Sequence, residues 1–207
     1  MKSLTADLHL KHNEFDQECF KQLAEKLFNH CYLLVNGSKW RLIEIEFYLH
    51  NEKHSDPYVH CDADQLLENT FYFHKFKTGT YKSGTFKGMD ITIGSSKQNT
   101  YFGILIRSIQ RIKTGETIEG PCNTVNKILS RYNLENIKDL TNYKNLHIFD
   151  NEQQFHLRFS KNLEKEKIYA GPRIGLSDKF PEWQNKAYRF AICPHLIKKK
   201  KTSLKKI

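Results

Sequence analysis

At 207 residues and 24.5 kDa, the chain is long enough for one substantial core and too short for two comfortable domains. Its 39% hydrophobic and 13% aromatic content excludes a disordered or fibrous protein. The formal charge of +10 is unevenly spread, because Lys198, Lys199, Lys200, Lys201, Lys205 and Lys206 supply six of it and leave the body at +4. Residues 1–197 are therefore expected to form a single domain, and 198–207 a solvated lysine-rich tail that raises encounters with polyanions.

Cys19, Cys31, Cys61, Cys122 and Cys193 include no CxxC pair and are odd in number, which argues against a disulfide framework or zinc ribbon. Met1–Leu10 lacks the apolar run of a signal peptide, and no stretch reaches the length of a membrane span. The expectation is a soluble cytoplasmic protein with no membrane partner.

In chain order, Phe15, Phe20, Leu23, Ala24, Leu27 and Phe28 recur at helical spacing and predict an amphipathic helix over 13–35, with Asn13 as its cap. Asn36-Gly37 predicts a hairpin turn into a strand over 40–49. Alternation there points Ile43, Ile45 and Phe47 one way and Glu44, Glu46 and Tyr48 the other. Lining a pocket, that second face offers a carboxylate as general base; otherwise it is the wet face of an ordinary strand. Polar residues 50–68, with Asp56-Pro57, predict a loop across the mouth of any site.

Short strands are predicted between 71 and 96 and a buried one from Ile104 to Ile112, paired antiparallel, followed by a helix over 122–132. Residues 133–167 are polar and carry few signals. Arg107 in an apolar strand calls for a buried carboxylate partner, Glu46 or Glu44, unless it snorkels to solvent. Phe76-Lys77, Tyr81-Lys82 and Phe86-Lys87, interleaved with Gly79, Gly84 and Gly88, fit a hairpin that stacks on bases and holds phosphates, or a plain twisted hairpin. His50, His54, His60, Cys61, Asp62 and His74 lack the spacing of a zinc site. No metal and no cofactor is expected.

Several segments resemble, in order, the motifs of the alkyladenine (3-methyladenine) DNA glycosylases. Phe15-Asp16-Gln17 with Leu23-Ala24 and Leu27 is similar to that family's FDQ...LA..L opening, and residues 41–49 to its RIVETEAYL motif. Gly79-Thr80 and Gly88-Met89 resemble the GT and GM that bracket its DNA-inserting hairpin. Ile104–Arg107 resembles VLLR, Gly120–Asn123 resembles GPSK, and Arg173-Ile174-Gly175 with Glu182-Trp183, Lys186 and Arg189-Phe190 resembles the RVGV...EW..KP.RF ending.

The resemblance implies an α+β domain with a curved, mainly antiparallel sheet flanked by helices. It also implies a monomer that repairs double-stranded DNA by hydrolysing the N-glycosidic bond of a flipped, alkylated or deaminated purine. Glu46 matches the general base, Arg107 the arginine that orders the water, and the Ile174 carbonyl a further water contact. Tyr48 matches one wall of the base pocket, and His54 or His60 its histidine. The second aromatic wall falls on Gly84, the intercalating tyrosine on Lys87 and the pocket asparagine on Gly94, with Tyr81 or Phe86 as substitutes in a rearranged hairpin. Lys82, Lys87, Arg173, Lys186 and Arg189 are the expected DNA contacts. These departures leave two alternatives, a non-catalytic nucleic-acid-binding relative and a hydrolase of free nucleosides.

Overall fold

A computed structural model of the protein describes residues 15–143 and 146–207. Helix α1 spans Gln17–His30 and is capped by Asp16, whose carboxylate accepts from the Cys19 N–H at 2.9 Å. That bond holds the Asp16 carboxyl below its usual range; Asn13, the expected cap, lies outside the described residues. Phe20, Leu23, Ala24, Leu27 and Phe28 form the buried stripe of α1, and Phe20 stacks on Phe47 with ring centroids 4.6 Å apart. The helix does not run on to Val35. Cys31–Val35 is a strand, β1, buried along its length, and a five-residue apolar run carries no periodicity that separates strand from helix.

Asn36 and Gly37, with φ of 42° and 73°, turn β1 into β2 (Ser38–Asn51), placing Val35 opposite Ser38. Strand β2 is the spine of the sheet. It pairs with β1, with its own return β3 (His54–Ser55), with β6 (Tyr101–Arg111) and with β10 (Arg189–Ala191). Beyond β6 come β5 (Met89–Ile93) and β4 (Glu68–Phe73); beyond β10 come β9 (Tyr169–Gly171) and β11 (Lys205–Lys206). Short β7 (Thr117–Glu119) adds to β6, and β8 (Phe155–Phe159) adds to β1. The architecture is α+β with an unclosed, mostly antiparallel sheet, as the sequence predicts.

Helix α2 (Pro121–Arg131) buries Val125, Ile128 and Leu129 as its spacing requires. The unassigned stretch 133–167 contains α3 (Ile137–Tyr143) and β8, whose Phe155 stacks on Phe71 at 4.5 Å. A short helix α4 (Pro181–Gln184) precedes β10. The expected solvated tail is instead docked. Glu119 accepts from the Lys198 and Lys199 N–H groups at 3.0 and 2.7 Å, Arg189 donates to the Lys199 and Lys200 carbonyls, and β11 pairs with β9, while the lysine side chains stay exposed. All five cysteines are free. No helix among the described residues is long and apolar enough to cross a membrane.

Candidate active site

The alternation read along β2 holds, yet its polar face is not wet. Glu44 is 1% and Glu46 0% exposed, because β2 lies mid-sheet and the 173–177 segment covers that side. The β2–β6 register skips Ile43 on one strand and Arg107 on the other. These bulges re-aim side chains, a common device beside functional sites. Here they bring Arg107 and Ser108 onto one carboxylate: Glu44 accepts from Arg107 Nε at 3.1 Å, Arg189 Nε at 2.7 Å and Ser108 Oγ at 2.5 Å. Two guanidiniums thus share Glu44, and desolvation is offset by charge pairing and charge-assisted hydrogen bonds.

Glu46 is held by a different set. Its Oε1 accepts from the Ile174 N–H at 2.7 Å; its Oε2 accepts from the Tyr48 hydroxyl at 2.9 Å and lies 3.3 Å from Arg107 Nη1. Burial pulls the Arg107 guanidinium down, but Glu46 and Glu44 outweigh it and hold its pKa above the ordinary value. Burial, and then the Glu46 charge, push the Tyr48 phenol well above its usual range, so it stays a donor. The partner predicted for Arg107 is in fact both glutamates. Ile174 meets Glu46 through its N–H.

A cavity of about 180 Å³ opens beside this cluster, walled by Tyr48, Tyr58, His60, His74, Asp90 and Leu105 with Gly175–Ser177. The Arg173 guanidinium lies 4.5 Å from the Tyr48 ring centroid and braces that wall. Arg173 is buried, pairs with Asp56 at 2.5 and 3.2 Å and donates to the Phe47 carbonyl, which corrects its expected role as a DNA contact. Arg189, buried against Glu44, is corrected for the same reason: neither guanidinium reaches a phosphate without breaking its own ion pair.

Of the two candidate histidines the cavity takes His60. His54 turns away, with Nδ1 3.0 Å from the Leu49 carbonyl, Nε2 2.8 Å from the Tyr188 hydroxyl and its ring beside Trp183. Burial lowers the His54 pKa. His60 contacts the Tyr72 hydroxyl at 3.3 Å and Lys82 Nζ at 3.1 Å, and desolvation together with neighbouring His74 brings it down to about 4. A neutral ring with its proton on Nδ1 satisfies both contacts.

Segment 76–88 is not a regular hairpin. Phe76 N–H bonds the Thr80 carbonyl in a tight turn, and Gly84–Phe86 forms a single 3₁₀ turn. Tyr81, Lys82, Gly84 and Lys87 line a second groove of about 730 Å³ against α3, so Gly84 and Tyr81 are not walls of the Tyr48 cavity. Phe86 is 70% exposed. Lys87 donates to Asn126 on α2 at 2.7 Å, and Lys186 lies 4.5 Å over the Trp183 ring. Gly94 is a packing glycine rather than a pocket residue: a Cβ there would come 1.9 Å from the Gln65 carbonyl oxygen. A third groove, of about 770 Å³, shares Tyr58 and His60 with the cavity and carries Lys75, Phe76, Lys77 and Lys82.

The reading of the sequence missed Tyr58, Gln65 and Asp90. Asp90 carried a usable signal, since an acid inside Met-Asp-Ile-Thr-Ile is as anomalous as Glu46 in its own strand. No known protein-family model matches the chain. It is 59% identical over 207 residues, spanning 95% of this chain and 96% of the relative, to a protein of Acanthamoeba polyphaga mimivirus described as Uncharacterized protein L759. On that identity and coverage, the chain belongs to one family with the mimivirus protein.

Proposed function

We propose that the protein is a glycosylase of the alkyladenine type, hydrolysing the N-glycosidic bond of a nucleotide flipped out of DNA. One observation carries this reading: Glu46, Tyr48, Arg107 and Ile174, chosen from motifs scattered over 128 residues, meet around a single carboxylate at the side of a small cavity. At about 180 Å³ the cavity is smaller than the ~300–1,000 Å³ of drug-sized sites, a size suited to one flat ring system between Tyr48 and His60. Water attacks C1′ of the sugar and gives its proton to Glu46 as the C1′–N bond breaks and the base departs with the bonding electron pair, neutral where alkylation had made it cationic, while Arg107 fixes the carboxylate. The lysine and aromatic groove that opens beside His60 supplies phosphate contacts and stacking.

The test is single-turnover base release from duplex and single-stranded oligonucleotides carrying 3-methyladenine, 7-methylguanine, hypoxanthine or ethenoadenine. Release should fall ~10²–10⁴-fold in Glu46→Gln; undiminished release removes Glu46 from the chemistry. A second reading, a non-catalytic nucleic-acid-binding protein, is favoured by the complete burial of Glu46 and its saturation by intramolecular contacts. Salt-dependent duplex binding without release of any base supports it.

A further inference from the structure

The cavity beside the Glu46 cluster is lined by a second carboxylate, Asp90, that the hydrolysis does not use. Asp90 of β5 stands in the same cross-sheet row as Glu46 of β2, with Leu105 of β6 between them. Residues directly opposite in antiparallel pairs share a face, so both carboxylates rise from one side of the sheet, with backbones two strand spacings or ~10 Å apart. Asp90 is 2% exposed. Its Oδ1 accepts from His74 Nε2 at 2.7 Å, and among the described residues its Oδ2 has only a long bond from Gln65 Nε2 at 3.4 Å. A carboxylate offers roughly four lone-pair sites, so this buried anion has acceptor capacity left over.

The chain makes room for it. A Cβ at Gly103 would lie 2.4 Å from Asp90 Oδ2 and 2.9 Å from Gln65 Nε2, so only glycine lets the carboxylate lie over β6. Gly103 is in turn the register partner of Tyr48, which places Oδ2 next to the aromatic wall. His60 closes the far end, its ring centroid 4.5 Å from that of His74. A buried acceptor with open lone pairs, in a slot walled by rings, demands N–H donors from a flat ligand. An adenine-type edge presents one amino donor beside a ring acceptor that the carboxylate repels. A guanine-type edge presents two adjacent donors, N1–H and the exocyclic amino group.

We propose that Asp90 is the specificity residue of the cavity and that it selects a guanine-type heterocycle through N1–H and the exocyclic amine. His74 and Gln65 act as positioning residues. The proposal rests on the cavity holding a nucleobase, but not on hydrolysis. The experiment is calorimetric titration of the full-length protein with free 7-methylguanine, 1,7-dimethylguanine and 7-methyladenine, and of Asp90→Asn with the same three. The wild type should bind 7-methylguanine at least ~10-fold more tightly than either other base, the loss expected for a missing bond to a charged acceptor, and Asp90→Asn should erase the difference.

Equal affinity for the N1-methylated base, a preference for the adenine derivative, or no binding of any of the three overturns the proposal. If Asp90→Asn does not fold, the three ligands on the wild type decide alone. Preferential 7-methylguanine binding without base release from DNA leaves Asp90 in place and removes the hydrolase; base release without the binding preference does the reverse.

Discussion

Two parts of the molecule use the same residue types to opposite ends. On the polar face of β2, Glu44, Glu46, Arg107 and Arg189 are buried and paired with one another, and Arg173 beside them is buried against Asp56. In segment 76–88, lysines alternate with aromatics that remain largely outside, Phe76 and Phe86 among them. Both regions read in the sequence as charge interleaved with apolar residues. What separates them is strand position: a side chain on a central strand is desolvated whether or not it is polar, and it persists only if a partner arrives from another strand. A segment outside the sheet faces no such demand, so its aromatics stay exposed and, among the described residues, Lys82 and Lys87 take only single neutral partners, His60 and Asn126.

The sharpest way to break the comparison is to remove the shared anion. Glu44→Ala leaves Arg189 buried without its carboxylate and Arg107 with Glu46 alone, and urea denaturation should report a loss of ~3–5 kcal/mol, the penalty for an uncompensated buried charge. The same change should loosen residues 198–206, because Arg189 anchors the Lys199 and Lys200 carbonyls. Hydrogen exchange there should rise together with the destabilisation.

A smaller effect is expected where the two regions meet, at His60. Its pKa is brought down from 6.5 to about 4, so on acidification the unfolded chain takes up the proton first. Stability from this group is complete above about pH 6.5 and is lost as the pH falls toward 4. The residue is exposed, and solvent screening reduces the effect to about 1 kcal/mol. Denaturation midpoints between pH 7 and pH 4.5 should fall less steeply in His60→Gln than in the wild type.

The smallest effect on stability belongs to Phe86. Its ring is 70% exposed, so Phe86→Ser should change the unfolding free energy by less than ~0.5 kcal/mol. Duplex affinity, measured by fluorescence anisotropy, should nonetheless drop several-fold if this ring meets bases. Unchanged affinity would make the segment a surface loop and nothing more.

The legible parts of the fold were those whose pattern is local. Helix α1, the Asn36-Gly37 turn, strands β2 and β6 and helix α2 each follow from spacing within a dozen residues. Strand β1 was hidden by its continuity with α1, and β8 by polar surroundings, because each owes its identity to the other: Leu33 pairs with Leu157 across the chain. Within the site, Glu46, Tyr48 and Arg107 were legible as polar residues in apolar strands. Gly94 and Gly84 were misplaced because alignment with a motif fixes order along the chain and not depth in the fold.

By itself the sequence determined which residues had to be exceptional: acids and an arginine inside β strands, a turn that demands positive φ, glycines at crowded points. Only the tertiary structure decided what those exceptions face. It turned Arg173 and Arg189 inward to Asp56 and Glu44, folded the lysine segment onto β9, and chose His60 over His54. Local propensity acts over a few residues, whereas the partner of a buried charge is set by strand register between segments more than a hundred residues apart.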